Sequence, residues 1–255
     1  MSFYQLKAYG YVLWSFIEKH RIGTALGTPE GDIPRSFDGV FMDAVACENG
    51  WMAVAALAFC AILGYLLGSI NFAVIISKFY HSDDVRAHGS GNAGATNMLR
   101  TYGKKAGILT FVLDGVKAAV SVIAAMLLMG TGGAYVAGLF CILGHIFPVY
   151  HKFRGGKGVV VAAVTILVLE PIVFVCLVIL FVVIVAWSKF ISLGSIICAF
   201  FFPLLQNAFY QGQGFIATVI AVLIAVIVIV MHRANIKRLL NRTENKFSFS
   251  KKGAK

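Results

Sequence analysis

The sequence predicts an all-α, polytopic membrane protein. Three observations carry this: 59% of the 255 residues are hydrophobic and only 13% charged, the apolar residues fall in long runs, and the basic residues gather between those runs. A soluble globule of this size could not cover itself with so few polar groups. In hydrocarbon every backbone N–H and C=O must be satisfied within its own segment, so the runs read as helices and not strands.

In chain order the apolar segments cover residues 51–78, 106–129, 133–150, 158–169, 172–187, 190–205 and 215–231. Residues 158–187 would form either one long helix or two short ones broken at Glu170-Pro171, and charge decides between them. With seven transmembrane helices, Lys78, Arg86, Arg100, Lys104, Lys105, Lys152, Arg154, Lys157, Lys189 and the basic tail from Arg233 to Lys255 share one side. The opposite turns then carry no Lys or Arg, and the positive-inside bias sets the N-terminus outside and the C-terminus in the cytoplasm. The fourth segment has about 12 apolar residues, about 18 Å of helix against a core about 30 Å thick. It is expected to lean on its neighbours, with its N-terminus open to a polar cavity.

Residues 1–50 form an extension of unclear role, with an amphipathic pattern over Tyr4–Arg21, a loop over Thr28–Arg35 and no apolar run long enough to span. Residues 51–245 form the seven-helix membrane domain, and 246–255 a basic cytoplasmic tail. Cys60, Cys141, Cys176 and Cys198 lie inside apolar segments and Cys47 outside them, so the cysteines offer no disulfide framework.

The chemistry sits in the polar loops. "GSGNAGATNMLRTYGKK", Gly89 to Lys105, holds four glycines and three basic residues but no carboxylate. Glycines let backbone N–H groups approach an anion, and a following helix N-terminus adds partial positive charge. Gly89, Gly91 and Gly94 precede a helix-like stretch at Ala95–Arg100; Ser90, Asn92, Thr96 and Asn97 offer neutral donors, and Arg100 a planar fork for phosphate. The bland alternative is a flexible connector. "GHIFPVYHKFRGGKG", Gly144 to Gly158, brings His145 and a second cradle on the same side, Gly155-Gly156-Lys157-Gly158. It lacks the glycine spacing and the Ser or Thr after the lysine of a nucleotide-binding P-loop.

A third cluster, Met231 to Glu244, places His232, Asn235 and Arg238 three residues apart on one face of a continuing helix. It reads either as a third wall of one site or as a basic helix end snorkelling to anionic lipid. Asp114 and Lys117 are an i,i+3 pair inside the second segment. Either they neutralise one another, or Lys117 lends its charge to the site while Asp114 holds it.

These segments, together with "GSINF" (Gly68–Phe72) and "LDGVK" (Leu113–Lys117), resemble in order and spacing the bacterial acyl-phosphate:glycerol-3-phosphate acyltransferases, over about residues 55–245. The resemblance implies transfer of a fatty acyl group from acyl phosphate to the 1-hydroxyl of sn-glycerol 3-phosphate. The products are lysophosphatidic acid and phosphate, the first acylation of phospholipid synthesis. It implies no cofactor and no metal. Its partners are the two substrates, membrane lipid and, transiently, the enzyme that makes acyl phosphate, with no nucleic acid. The location implied is the bacterial cytoplasmic (inner) membrane, multi-pass, with the active site facing the cytoplasm.

By the same resemblance Ser90, Arg100, His232 and Asn235 are the catalytic set. The resemblance also puts substrate phosphate on Gly155, Gly156, Lys157 and Gly158 and a structural role on Glu244. Read from the residues themselves, Gly89, Gly91, Asn92, Gly94, Thr96 and Asn97 join the phosphate-binding set, with Ser69, Asp114, Lys117, His145 and Arg238 as supporting residues. Asn71 stands where many members have proline, and Val160-Val161 replaces a frequent Ala-Thr. Two alternatives from other classes are an organic-phosphate transporter, for which no internal repeat is evident, and a structural protein that holds anionic lipid.

Overall fold

A computed structural model describes residues 50–210 and 215–247. The chain divides into two units, Met1–Asp38 and Gly39–Lys255, and every described residue lies in the second. The patterns read over Tyr4–Arg21 and Thr28–Arg35, together with Cys47 and Lys251, lie outside the described residues.

The described residues are all helix and loop. In chain order the helices are α1 Gly50–Ser69, α2 Phe72–His81, α3 Ala95–Tyr102, α4 Lys104–Ile146, α5 Val159–Leu169, α6 Pro171–Ser188, α7 Ile191–Phe209, α8 Phe215–Met231 and α9 Arg233–Leu240. Among the described residues, four stretches are long and apolar enough to cross a membrane: Val54–His81, Lys104–His151, Pro171–Ser188 and Ile191–Phe209. Ile216–Met231 with Arg233–Leu240 makes a fifth, bent by 55°.

The 43 residues of α4 would measure about 65 Å if straight, twice the hydrocarbon core. It is not straight, because Met129 (φ −131°, ψ 19°) and Gly130 (φ 62°, ψ −158°) are non-helical. Lys117 Nζ lies 3.1 Å from His145 Nδ1, a separation that 28 residues of unbroken helix would stretch to about 42 Å. The two arms of α4 therefore fold back on one another, matching the segments read at 106–129 and 133–150. Glycines let α1 nest on the second arm: a Cβ at Gly68 would run into the Cys141 backbone, and one at Gly144 into the Tyr65 carbonyl.

α5 and α6 are separate, broken at Glu170 with Pro171 opening α6, where a missing N–H costs nothing. The 11 residues of α5 bury Val161, Ala162, Thr165, Ile166 and Leu169 in the main core, as a helix too short to span should. α1 stops at Ser69, and Asn71 caps α2 by accepting the Val74 N–H at 3.1 Å. One expectation needs correction. α8 does not continue straight through Met231–Glu244: the His232 N–H is shared between the Val228 and Ile229 carbonyls, and the axis turns there.

Candidate active site

The first glycine loop is built by its own polar groups. Gly89 and Gly91 take positive φ (58° and 70°), a region open to glycine at little cost. Asn97 was expected to face phosphate, but it is spent on the loop. Its Nδ2 donates to Val85 O (3.1 Å) and His88 O (2.9 Å), and its Oδ1 accepts the Ser90 N–H (2.9 Å). Both amide hydrogens are committed, so Asn97 shapes the cradle from beneath. Gly89, Ser90, Gly91, Thr96 and Arg100 are exposed on its rim, with Asn92 and Gly94 half-buried.

The second loop corrects another expectation. The Gly155 and Gly156 N–H groups turn inward to Ile146 O (3.0 Å) and His145 O (3.1 Å), so both are already bonded within the protein. The pair is glycine because backbone packs directly on backbone: a Cβ on Gly155 would meet the His145 carbonyl, and one on Gly156 the His145 ring and Ala93 O. In the same run Lys157 is half-buried, and Gly158 is the N-cap of α5 at φ 77°. Just upstream, Lys152 and Phe153 both sit at φ 56°, a strained tight turn.

The two loops are stitched together. Ala93 N–H donates to Gly155 O (3.4 Å) and Asn71 Nδ2 to Ala93 O (3.3 Å). Arg86, which the sequence did not single out, binds Asp84 (2.7 Å) and reaches across to His151 O (2.9 Å) and Arg154 O (3.0 Å). That guanidinium holds the Asp84 carboxyl down to about 2. An acidic neighbour two residues away was the only local signal for Arg86; its long-range carbonyls were invisible.

The third cluster joins through Lys157, whose Nζ donates to Asn235 Oδ1 at 2.5 Å. Asn235 Nδ2 passes to Glu244 Oε1 (2.8 Å), which also takes Ser192 Oγ (2.9 Å), while Arg238 Nε binds Glu244 Oε2 (2.6 Å). Burial opposes ionisation of Glu244, but its bonds to Arg238, Asn235 and Ser192 win and hold its pKa below the usual range. Burial pushes the Lys157 ammonium down to about 8, and the charges of Arg238 and Arg100 add to the push. Arg100 forms no hydrogen bond or ion pair with a described residue. Three cations, Arg100, Lys157 and Arg238, thus converge with one carboxylate among them.

His232 is buried, with Nδ1 2.7 Å from Val228 O. A carbonyl only accepts, so Nδ1 carries the proton and Nε2 keeps a lone pair. Burial first, with the Lys157 charge, drives its pKa to about 4 against the pull of Val228 O, which keeps the ring neutral.

Below the loops, Lys117 Nζ binds Asp114 Oδ1 (2.8 Å), Gly68 O (3.1 Å) and Ile70 O (2.6 Å). A cation at the C-terminal carbonyls of α1 satisfies orphan acceptors and opposes the helix dipole. Its three hydrogens go to Gly68 O, Ile70 O and His145 Nδ1, with Asp114 beside it as the counter-charge, which favours the structural reading of the pair. Ser69 is buried and accepts the Val149 N–H at 3.3 Å, anchoring the turn after α4.

The fold and site define an α-helical membrane protein in which two glycine loops are joined to a cationic cluster. Residues 58–242 match the glycerol-3-phosphate acyltransferase family, and the chain belongs to that family. The glycerol-3-phosphate acyltransferase of Thermoanaerobacter pseudethanolicus is 42% identical over 187 residues, covering 73% of this chain and 93% of that one. Glycerol-3-phosphate acyltransferase 2 of Bacillus anthracis is 40% identical over 185 residues, 72% and 96% of the two chains. Crystal structures of PlsY, an integral membrane glycerol 3-phosphate acyltransferase, superpose with TM-scores of 0.71 (glycerol 3-phosphate form, 36% identity) and 0.68 (lysophosphatidic acid form, 34%). The first covers 75% of this chain and 96% of PlsY, the second 75% and 95%.

Proposed function

We propose that this chain transfers a fatty acyl group from acyl phosphate to the 1-hydroxyl of sn-glycerol 3-phosphate, releasing lysophosphatidic acid and inorganic phosphate. The observation that carries the reading is the stitched pair of glycine loops sharing Arg100, Lys157 and Arg238. Both substrates present phosphate, and two cradles on one face match a two-substrate reaction. The transporter alternative loses its ground, because the family matched over residues 58–242 is one of acyl transfer.

In this mechanism positioning supplies most of the rate. Ser90, Asn92, Gly94, Thr96 and Arg100 hold one phosphate, and Lys157 with Gly158 at the head of α5 holds the other. His232 Nε2 accepts the hydrogen bond of the attacking hydroxyl and orients it. The hydroxyl oxygen bonds the acyl carbon, the carbon–oxygen bond to phosphate breaks, and the proton ends on the departing phosphate. A donor already activated by phosphate asks little of a base, which suits an imidazole held near pKa 4. Asn235 and Glu244 keep Lys157 and Arg238 apart and aimed.

Seven spans follow if the arms of α4 cross separately and α5 counts as one. The basic loops then set the C-terminus and the site in the cytoplasm, at the bacterial inner membrane. The test is purified protein with palmitoyl phosphate and labelled glycerol 3-phosphate. Labelled lysophosphatidic acid without any thioester is expected, and its absence from folded protein refutes the reading.

A further inference from the structure

His145 is a buried titratable group to which the mechanism above gives no task. His145 ends α4 at 4% exposure, and its Nδ1 lies 3.1 Å from Lys117 Nζ. An ammonium offers only hydrogens, so Nδ1 must be the lone-pair nitrogen and the neutral ring carries its proton on Nε2. This is the opposite tautomer to His232. Asp114 Oδ1, 2.8 Å from Lys117 Nζ and 3.7 Å from His145 Nδ1, completes a buried triad that fixes the rotation of the ring.

The far edge of that ring meets the seam between the two glycine loops. A Cβ on Gly156 would collide with His145 Nε2 and come within 2.9 Å of Cδ2 and 2.8 Å of Ala93 O, so ring, Gly156 and Ala93 are in close contact. The backbone of the same residue grips the loop as well, His145 O taking the Gly156 N–H. Ala93 belongs to the first loop and Gly156 to the second. The loops meet backbone to backbone at Ala93 and Gly155–Gly156, and the ring edge backs Gly156 at that seam.

We propose that His145 is a positioning residue: the Asp114–Lys117 pair locks its tautomer and rotation, and its Nε2 edge sets the spacing of the two glycine loops and hence of the two bound phosphates. The inference rests on the reading that each loop holds one substrate. Each cradle would still bind its own phosphate if the ring edge were trimmed, but the hydroxyl and the acyl carbon would no longer meet. A misplacement of about 1 Å costs about 100-fold in rate.

Two variants divide the ring. His145→Asn keeps an acceptor for Lys117 near the Nδ1 position and deletes the Nε2 edge; His145→Gln restores reach and an N–H at that edge. Sites are counted by the stoichiometry of glycerol 3-phosphate binding, and single-turnover rate per site is measured with whichever acyl donor the wild-type protein uses. A failed donor assignment therefore leaves the comparison readable. H145N is expected to bind glycerol 3-phosphate at full stoichiometry with Kd within about threefold of wild type, while its rate per site falls at least about 30-fold. H145Q is expected to lie between H145N and wild type. A per-site rate for H145N within threefold of wild type, a loss confined to affinity, or no gain in H145Q overturns the proposal. So does loss of binding stoichiometry in both variants, which would make the ring a folding element alone.

Discussion

Lys157 joins the second loop to the third cluster, and its burial makes a prediction that pH can read. With the ammonium pushed down to about 8, it is about nine-tenths charged at pH 7 and about one-tenth charged at pH 9. If the charged form binds substrate phosphate, kcat/KM at low glycerol 3-phosphate should fall about tenfold between pH 7 and pH 9. His232, held near 4, contributes nothing in that window. Rising pH does not destabilise the fold through Lys157. Its folded pKa lies below the ordinary lysine value of 10.5, so its charge costs stability in full below about pH 8 and that cost is relieved as pH rises. Lys157→Arg keeps a charge that does not titrate and should flatten the alkaline limb, at a lower plateau because a guanidinium does not fit the ammonium's place against Asn235. Initial rates from pH 6.5 to 9.5, with Tm followed in parallel, make the test. A wild-type profile flat to pH 9.5, or the same fall in Lys157→Arg, refutes the assignment.

Gly156→Ala should damage the fold before it damages binding, since its Cβ meets the His145 ring and Ala93 O; a cost of about 1–3 kcal/mol, read as a lower Tm, is expected. Arg100 is exposed and unpaired among the described residues, so Arg100→Ala should leave Tm unchanged while lowering kcat/KM about 10- to 100-fold, with little rescue by lysine. Cysteine labelling from outside should reach position 131, at the turn between the arms of α4, and not position 154; the reverse pattern would invert the orientation proposed here.

The sequence made much of this legible, because hydrocarbon imposes long apolar runs and glycine loops punctuate them. The break at Glu170-Pro171, the short α5 and the helix opening at Ala95 all follow from local chemistry. What stayed hidden was the direction in which backbone groups point. Gly155 and Gly156 looked like ligand cradles, but their N–H groups close onto the end of α4, and Asn97 turned inward for the same reason: in a loop this close to the core, its own carbonyls take the available hydrogens. The bend at His232 was equally unreadable, since no proline or glycine marks it. Arg86 and Ser192 reach partners 65 and 52 residues away, distances over which periodicity carries no information.

In the proposed function, a second phosphate cradle selects the acyl donor. The most direct measurement sets palmitoyl phosphate beside palmitoyl-CoA in one reconstituted preparation, with labelled glycerol 3-phosphate, and compares kcat/KM for the two donors. Turnover with the acyl phosphate at least about 100-fold above the thioester, lost in parallel for Arg100→Ala and Lys157→Met, is the predicted result. Equal turnover with palmitoyl-CoA would contradict it.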